Sequence, residues 1–215
     1  MLSNTIYIFN ALKLLALIQG LMVIPNVNPG LNNEIVSLEY IINDESILEV
    51  NGKTNVNSFC CTANENFSRK KITYRYNEEG TIIAFEQAKL TLNTDKLDCG
   101  RKVINNDMRK ALQADKYPNI VLQLKEIQNL ACHDLSVCNE LVELIAVTDI
   151  TITCNTKNYS FPVIVNKLDD NYFRVSGETT LQLCDFDIDA PTALLGLIKV
   201  KDELNIGFDL YIEIA

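Results

Sequence analysis

The chain has 215 residues, 47% of them hydrophobic, a formal net charge of −9 and a single histidine, His133. That length allows one good core, or two small domains at most, and the apolar share excludes a disordered chain. A protein gripping nucleic acid by counterion release would carry the opposite charge, so no nucleic acid and no anionic membrane surface is expected as a partner. With one histidine, Ser-His-Asp, Cys-His and multi-histidine zinc sites have little to be built from.

In chain order, residues 1–25 come first as an apolar leader. Lys13 precedes a mainly apolar run from Leu14 to Ile24 that stops at Pro25, in the manner of a signal-peptide h-region. Its n-region is weakly charged and no A-x-A site follows, while Asn10, Lys13 and Gln19 make it a poor membrane span. A periplasmic or secreted protein is expected, with an uncleaved anchor or a misplaced start as the alternatives. Residues 26–45 read as an extension and 46–215 as the folded domain, which no repeat, low-complexity stretch or linker divides.

From there the dominant signal is alternation with period two, which puts every second side chain on one face of a strand. A strand is expected around Val50 to Cys61. Others are marked by Ile72, Tyr74 and Tyr76; by Ala88, Leu90 and Leu92; by Ile120, Leu122 and Leu124; and by Ile150, Ile152 and Cys154. Two more run through Tyr159, Phe161, Val163 and Val165, then through Phe173, Val175, Leu181 and Leu183. The last is LNIGFDLYIEI, with Leu204, Ile206, Phe208, Leu210, Ile212 and Ile214 on one face. Turn signals fall at NEEG before Thr81, at NTKN after Cys154 and at LDDN before Tyr172, the latter two as hairpins. Some eight or nine short-linked antiparallel strands make a closed barrel or a two-sheet sandwich.

One helix interrupts this series. Asn106 or Asp107 can serve as its N-cap, and Met108, Ala111 and Leu112 then share a face. Tyr117 precedes Pro118 and is pushed out of α geometry, so the helix must stop there. Met108 and Leu112 form an apolar ridge able to cover one end of a barrel.

The seven cysteines are an odd number, leaving at least one unpaired in a monomer. Their spacing lacks the C-x-x-C pairs of zinc ribbons, so disulfides are favoured over metal in an exported chain. Cys132 and Cys138 bracket the polar loop HDLSV and make a plausible pair, while Cys154 and Cys184 read equally well as small buried apolar residues. His133 beside Cys132 is taken as an exposed loop residue, because adjacency does not supply the geometry of nucleophile and base. Asp185, Asp187 and Asp189 read as a solvated turn and not a calcium loop: Ala190 stands where such a loop needs Gly, and Gly196 where it needs Glu. No metal and no cofactor is expected.

The helix and the strand after it carry a resemblance. DM, KAL, DKYP and NI at Asp107, Met108, Lys110 to Leu112, Asp115 to Pro118 and Asn119 to Ile120 resemble the YceI-like family, as does DFDIDAPTALLGLIKVKDELNIGFDL from Asp185 to Leu210. NGKTNVNSFCC from Asn51 to Cys61 and LDCG from Leu97 to Gly100 are similar to bacteroidete members. The resemblance implies an all-β fold: an eight-stranded antiparallel, lipocalin-like β-barrel with a short helix capping one end. It also implies a tunnel holding an extended polyisoprenoid, isoprenoid quinone or fatty amide, without catalysis. Its implied lining is Met108, Leu112, Ile120, Leu122, Leu124, Phe173, Val175, Phe186, Leu195, Ile206 and Phe208. Cys61 and Cys99 stand in contexts that imply a disulfide, and Cys60 would then face the other side of its strand. A histidine common in the family's opening strand is absent here, where Lys53, Asn55 and Asn57 stand.

Apart from the resemblance, periodicity leaves two readings open: in a filled barrel the apolar stripes are core, and in a hollow one they are a ligand site. The expected partner is a hydrophobic small-molecule lipid, with a homodimer and envelope proteins as further candidates.

Overall fold

The structure is a computed structural model that describes residues 35–65, 67–77, 82–128, 141–193 and 197–215. The first strands are β1 (Val36–Ile42), β2 (Ile47–Thr54), β3 (Ser58–Ala63), β4 (Lys70–Tyr76), β5 (Ile82–Phe85), β6 (Lys89–Asn93) and the two-residue β7 (Leu97–Asp98). Helix α1 (Lys102–Ala111) follows, then β8 (Asn119–Gln128), β9 (Leu141–Ile152), β10 (Asn155–Asp169), β11 (Tyr172–Gln182), the short β12 (Thr192–Ala193) and β13 (Ile198–Ile214).

Pairing runs β1–β4–β5–β8–β9–β10–β11–β13, and β13 returns to β1, so eight strands close a ring. Every pair in it is antiparallel. The 17 residues of β13 let it serve two partners on one edge: Ile212 to Ile214 meet β1, and Leu204 to Asp209 meet β2. β1 and β2 are thus two halves of one wall strand, bent where the Ser46 N–H donates to the Asn43 carbonyl. Strand pairing therefore begins upstream of the boundary expected at residue 46: Val36–Ile42 belongs to the ring, because its alternating Leu38, Tyr40 and Ile42 complete the apolar face.

The expected single strand from Val50 to Cys61 is instead a hairpin. The Thr54 hydroxyl oxygen accepts from the backbone N–H of Val56 and of Asn57, bending the chain into a tight turn. Across that hairpin Gly52 faces Phe59, whose ring lies over the space that a side chain at Gly52 would take. NTKN is likewise strand and not turn: β9 and β10 join through Thr153 and Cys154, with Thr153 at φ 56°, and Asn155 already faces Ile152. At LDDN the hairpin lies as expected, with Asp169 facing Tyr172. Residues 78–80 of the NEEG turn lie outside the described residues, while Asn77 exchanges bonds with Ile82, whose N–H donates to its side chain and whose carbonyl accepts from its N–H.

Helix α1 starts earlier than Asn106. Its N-cap is Arg101, which makes no side-chain cap bond. The chain into it is held by Asp98, whose carboxylate accepts from the Gly100 N–H and the Asn105 amide, while Asn105 accepts from the Cys99 N–H. The helix also ends before Tyr117: Gln113 adopts φ 50°, and the Tyr117 N–H folds back to the Gln113 carbonyl. A left-handed residue, not the Tyr-Pro step, stops it. Pro118 then aims the chain into β8.

Candidate functional site: the barrel interior

Register shows which side chains point inward. On β9, Val142, Leu144, Ala146, Thr148, Ile150 and Ile152 lie opposite alternate residues of β10, among them Tyr159, Phe161, Val163 and Val165. Val175 meets both Val165 and Leu210, and Leu122 lies between Leu90 and Ile150. The apolar face of every ring strand is therefore turned to one interior.

The buried side chains of that interior fall into three clusters, which share Tyr159 and Ile127 as half-buried neighbours. At the helix end, Leu97, Leu112, Ile150, Ile152, Leu181, Leu183, Phe186 and Ile188 pack together, with Met108, Ile120 and Ile206 against them. A middle cluster joins Ala146, Phe161 and Val163 to Leu124, Val175 and Phe208. A third, of Leu38, Tyr74 and Ile83, gathers Tyr40, Ile72, Phe85 and Ile127. Leu122, Leu124, Val175, Ile206, Phe208 and Leu210 hold inward positions yet are only half-buried. The space a side chain at Gly177 would take is already filled, since a Cβ there would lie 2.9 Å from both the tip of the Phe208 ring and the Pro162 carbonyl oxygen.

The residues expected as lining fall into distinct places. Met108, Leu112, Ile120 and Phe186 belong to the capped end, where Phe186, 1% exposed, is packed as a plug. Leu124, Val175 and Phe208 lie mid-barrel, Phe173 faces Ile212, and Leu195 is outside the described residues. Phe161, Val163, Ile150 and Leu210 were not named as lining, although their alternation marked the strands; only register across strands puts them beside the others.

Polar chemistry at the capped end is sparse. Tyr159 stacks on Phe186 and donates its hydroxyl to Asp185 at 2.7 Å. Burial first, then that carboxylate, pushes its pKa up to about 12. Asn155 donates to the Phe186 carbonyl and to Asp187, so Asp185 and Asp187 brace the cap from outside. Because the folded state holds the Tyr159 proton more tightly, the associated stability is whole below pH 10.0 and is lost as pH rises towards about 12. Urea midpoints taken near pH ~9 and ~11 should therefore fall more for the wild type than for Tyr159→Phe, which has no proton to lose.

Cys61 and Cys99 form a disulfide that staples β3 to the approach of α1. Cys60 is exposed on the opposite face, and Cys154 and Cys184 are exposed as well, correcting the buried alternative for those two. Burial and then Glu49 push the Cys60 thiol up, and the hydrogen bond to Asp202 does the same for Cys184. Raised thiols carry little thiolate, so neither has the character of a nucleophile. Cys132, Cys138 and His133 lie outside the described residues.

No protein-family model and no curated protein sequence matches the chain. Solved structures do. A polyisoprenoid binding domain from Saccharophagus degradans, implicated in plant cell wall breakdown, aligns at 11% identity and TM-score 0.55, covering 82% of this chain and 98% of its own. Burkholderia cenocepacia BcnA aligns at 16% identity and TM-score 0.55, covering 78% of this chain and 96% of its own. At such identities the likeness is one of fold: this chain is an eight-stranded, lipocalin-like antiparallel β-barrel capped by a short helix, built on the same plan as both.

Proposed function

We propose that the protein is a non-enzymatic carrier of an extended apolar lipid of the YceI-like type, held inside the barrel. The observation that carries this reading is the set of inward apolar side chains, Leu122, Leu124, Val175, Ile206, Phe208 and Leu210, that stay half-buried although they face the interior. A filled barrel would cover them, whereas a bound chain would bury them at about 0.8 kcal/mol for each methylene. A polyisoprenoid, isoprenoid quinone or fatty amide fits such a lining, since it needs few polar contacts, and the neighbour named as a polyisoprenoid binding domain supports that choice. The Cys61–Cys99 disulfide supports a periplasmic or secreted location.

Organic extraction of the purified protein followed by mass spectrometry tests the proposal. One lipid per chain is the expected result, with a rise in Tm when a quinone or isoprenoid is added to the stripped protein. An extract without lipid, together with no shift in Tm, would leave a filled barrel that acts through its surface.

A further inference from the structure

We propose that the outer face of helix α1 and the turn after it form a cationic patch that sets the capped end of the barrel on an anionic phospholipid bilayer. Residues 101–116 hold five of the chain's 19 lysines and arginines but two of its 28 aspartates and glutamates, so this segment carries +3 where the remainder carries −12. A net charge of −9 argues against an anionic surface for the chain as a whole. Screening confines each charge to roughly 8 Å at physiological ionic strength, however, so a surface touched by one end of the molecule meets that end's charge.

The fold turns these cations outward. Met108, Ala111 and Leu112 pack on the helix-end cluster, while Lys102, Val103, Asn106 and Lys110 are exposed, with Arg101 and Lys116 exposed at either end of the segment. Arg109 pairs with Asp95 at 2.9 Å; among the described residues no ion pair takes Arg101, Lys102, Lys110 or Lys116. Arg109, Lys110 and Lys116 also line a shallow cleft of about 610 Å³ with Asn106 and Gln113, in which Asp115 is the one acid. Local stability explains only half of this arrangement. Arg109 and Lys110 suit the helix C-terminus, whose free carbonyls favour positive charge. Arg101 and Lys102 stand at the N-terminus, where the dipole disfavours cations, no acid occupies the first turn and no side chain caps the helix. Asp98, just upstream, gives its carboxylate to the Gly100 N–H and the Asn105 amide, not to either cation. Two cations placed against the local preference mark positions kept for contact with something outside the fold. Val103, 69% exposed among them, adds the apolar contact that a helix lying on a membrane surface makes. A bilayer is the occupant because a lipid carrier must load from one and unload to one, a choice that rests on the carrier reading above. A second copy seated on the same face would set cation against cation.

Co-sedimentation of the full chain with vesicles is the test. Dioleoylphosphatidylcholine vesicles containing about 30% dioleoylphosphatidylglycerol should carry the protein down at about 0.1 M salt, and pure phosphatidylcholine vesicles should not. Each lysine at the surface is worth about fivefold in partition, so Lys102→Gln with Lys110→Gln should bind about thirtyfold more weakly. Lys71→Gln with Arg75→Gln, the same loss of charge at exposed positions on β4, should bind like the wild type. Removing Lys102 relieves the helix dipole where removing Lys110 opposes it, so the first pair should keep the wild-type Tm. The chain has no tryptophan, and Val103→Trp should shift its emission to the blue on the anionic vesicles alone. Absence of binding to the anionic vesicles, equal binding by the two double variants, or binding without a blue shift in Val103→Trp overturns the patch. So does release by inorganic phosphate beyond that by chloride of equal ionic strength, which marks a phosphate cleft instead. Vesicle binding by a chain whose organic extract holds no lipid removes the carrier reading and leaves the patch; a lipid-loaded chain that ignores the vesicles does the reverse.

Discussion

Leu122→Trp is expected to yield a folded barrel that no longer retains lipid. Leu122 stands mid-wall on β8, opposite Leu90 and Ile150, and is half-buried despite its inward position. An indole there would occupy the path of a chain, and displacing about four methylenes removes roughly 3 kcal/mol, about two orders of magnitude in Kd. In a hollow barrel the added volume meets free space, so the urea midpoint should hold. In a filled one the same ring has to displace neighbours, at about 1–3 kcal/mol, and the domain would lose stability without losing any lipid. Lipid content by mass spectrometry and unfolding by circular dichroism, read on one preparation, separate the two.

Removing the Cys61–Cys99 bridge is expected to be the most damaging change to stability among the described cysteines. The bridge spans a sequence separation of 38 residues, for which loop entropy alone predicts a stabilisation of about 3–4 kcal/mol. It also anchors the approach to α1, which has no side-chain N-cap and leans on Asp98 and Asn105 instead. Cys61→Ala with Cys99→Ala should lower the urea midpoint accordingly, and a reductant should do the same to the wild type. Cys60→Ser, exposed and unbridged, is the control and should change little. Equal midpoints for wild type and double variant would mean that the bridge carries no stability.

The strands were legible because a wall with one dry face writes itself as alternation. Leu204 to Ile214 reads as a strand from end to end, and the structure makes it the longest one, β13. Turns were less legible. Thr153 adopts a left-handed conformation that favours Gly or Asn, and it does so because the β9–β10 register demands a two-residue link there. NTKN has the composition of a turn but is paired along its length with Ile152 to Asp149, so tertiary pairing overrode local preference. Helix α1 shifted for a similar reason: its start is set by the disulfide and the Asp98–Asn105 bonds, which no capping rule applied to Asn106 could foresee.

By itself the amino-acid sequence determined the class of the molecule: an acidic, mostly β chain with a short helix, alternating apolar faces and a single histidine. Those properties are local, set by side-chain period and composition, and so they survive without coordinates. What only the tertiary structure decided is the closure of the ring through β13 and β1 and the gathering of Leu124, Val175 and Phe208 around one interior. Glu65 is the clearest case: in sequence it is one acid in a polar stretch, and only the fold sets its carboxylate against the Asn93 N–H and Lys96. Register between strands distant in the chain is a global property, and it alone turns separate stripes into an interior.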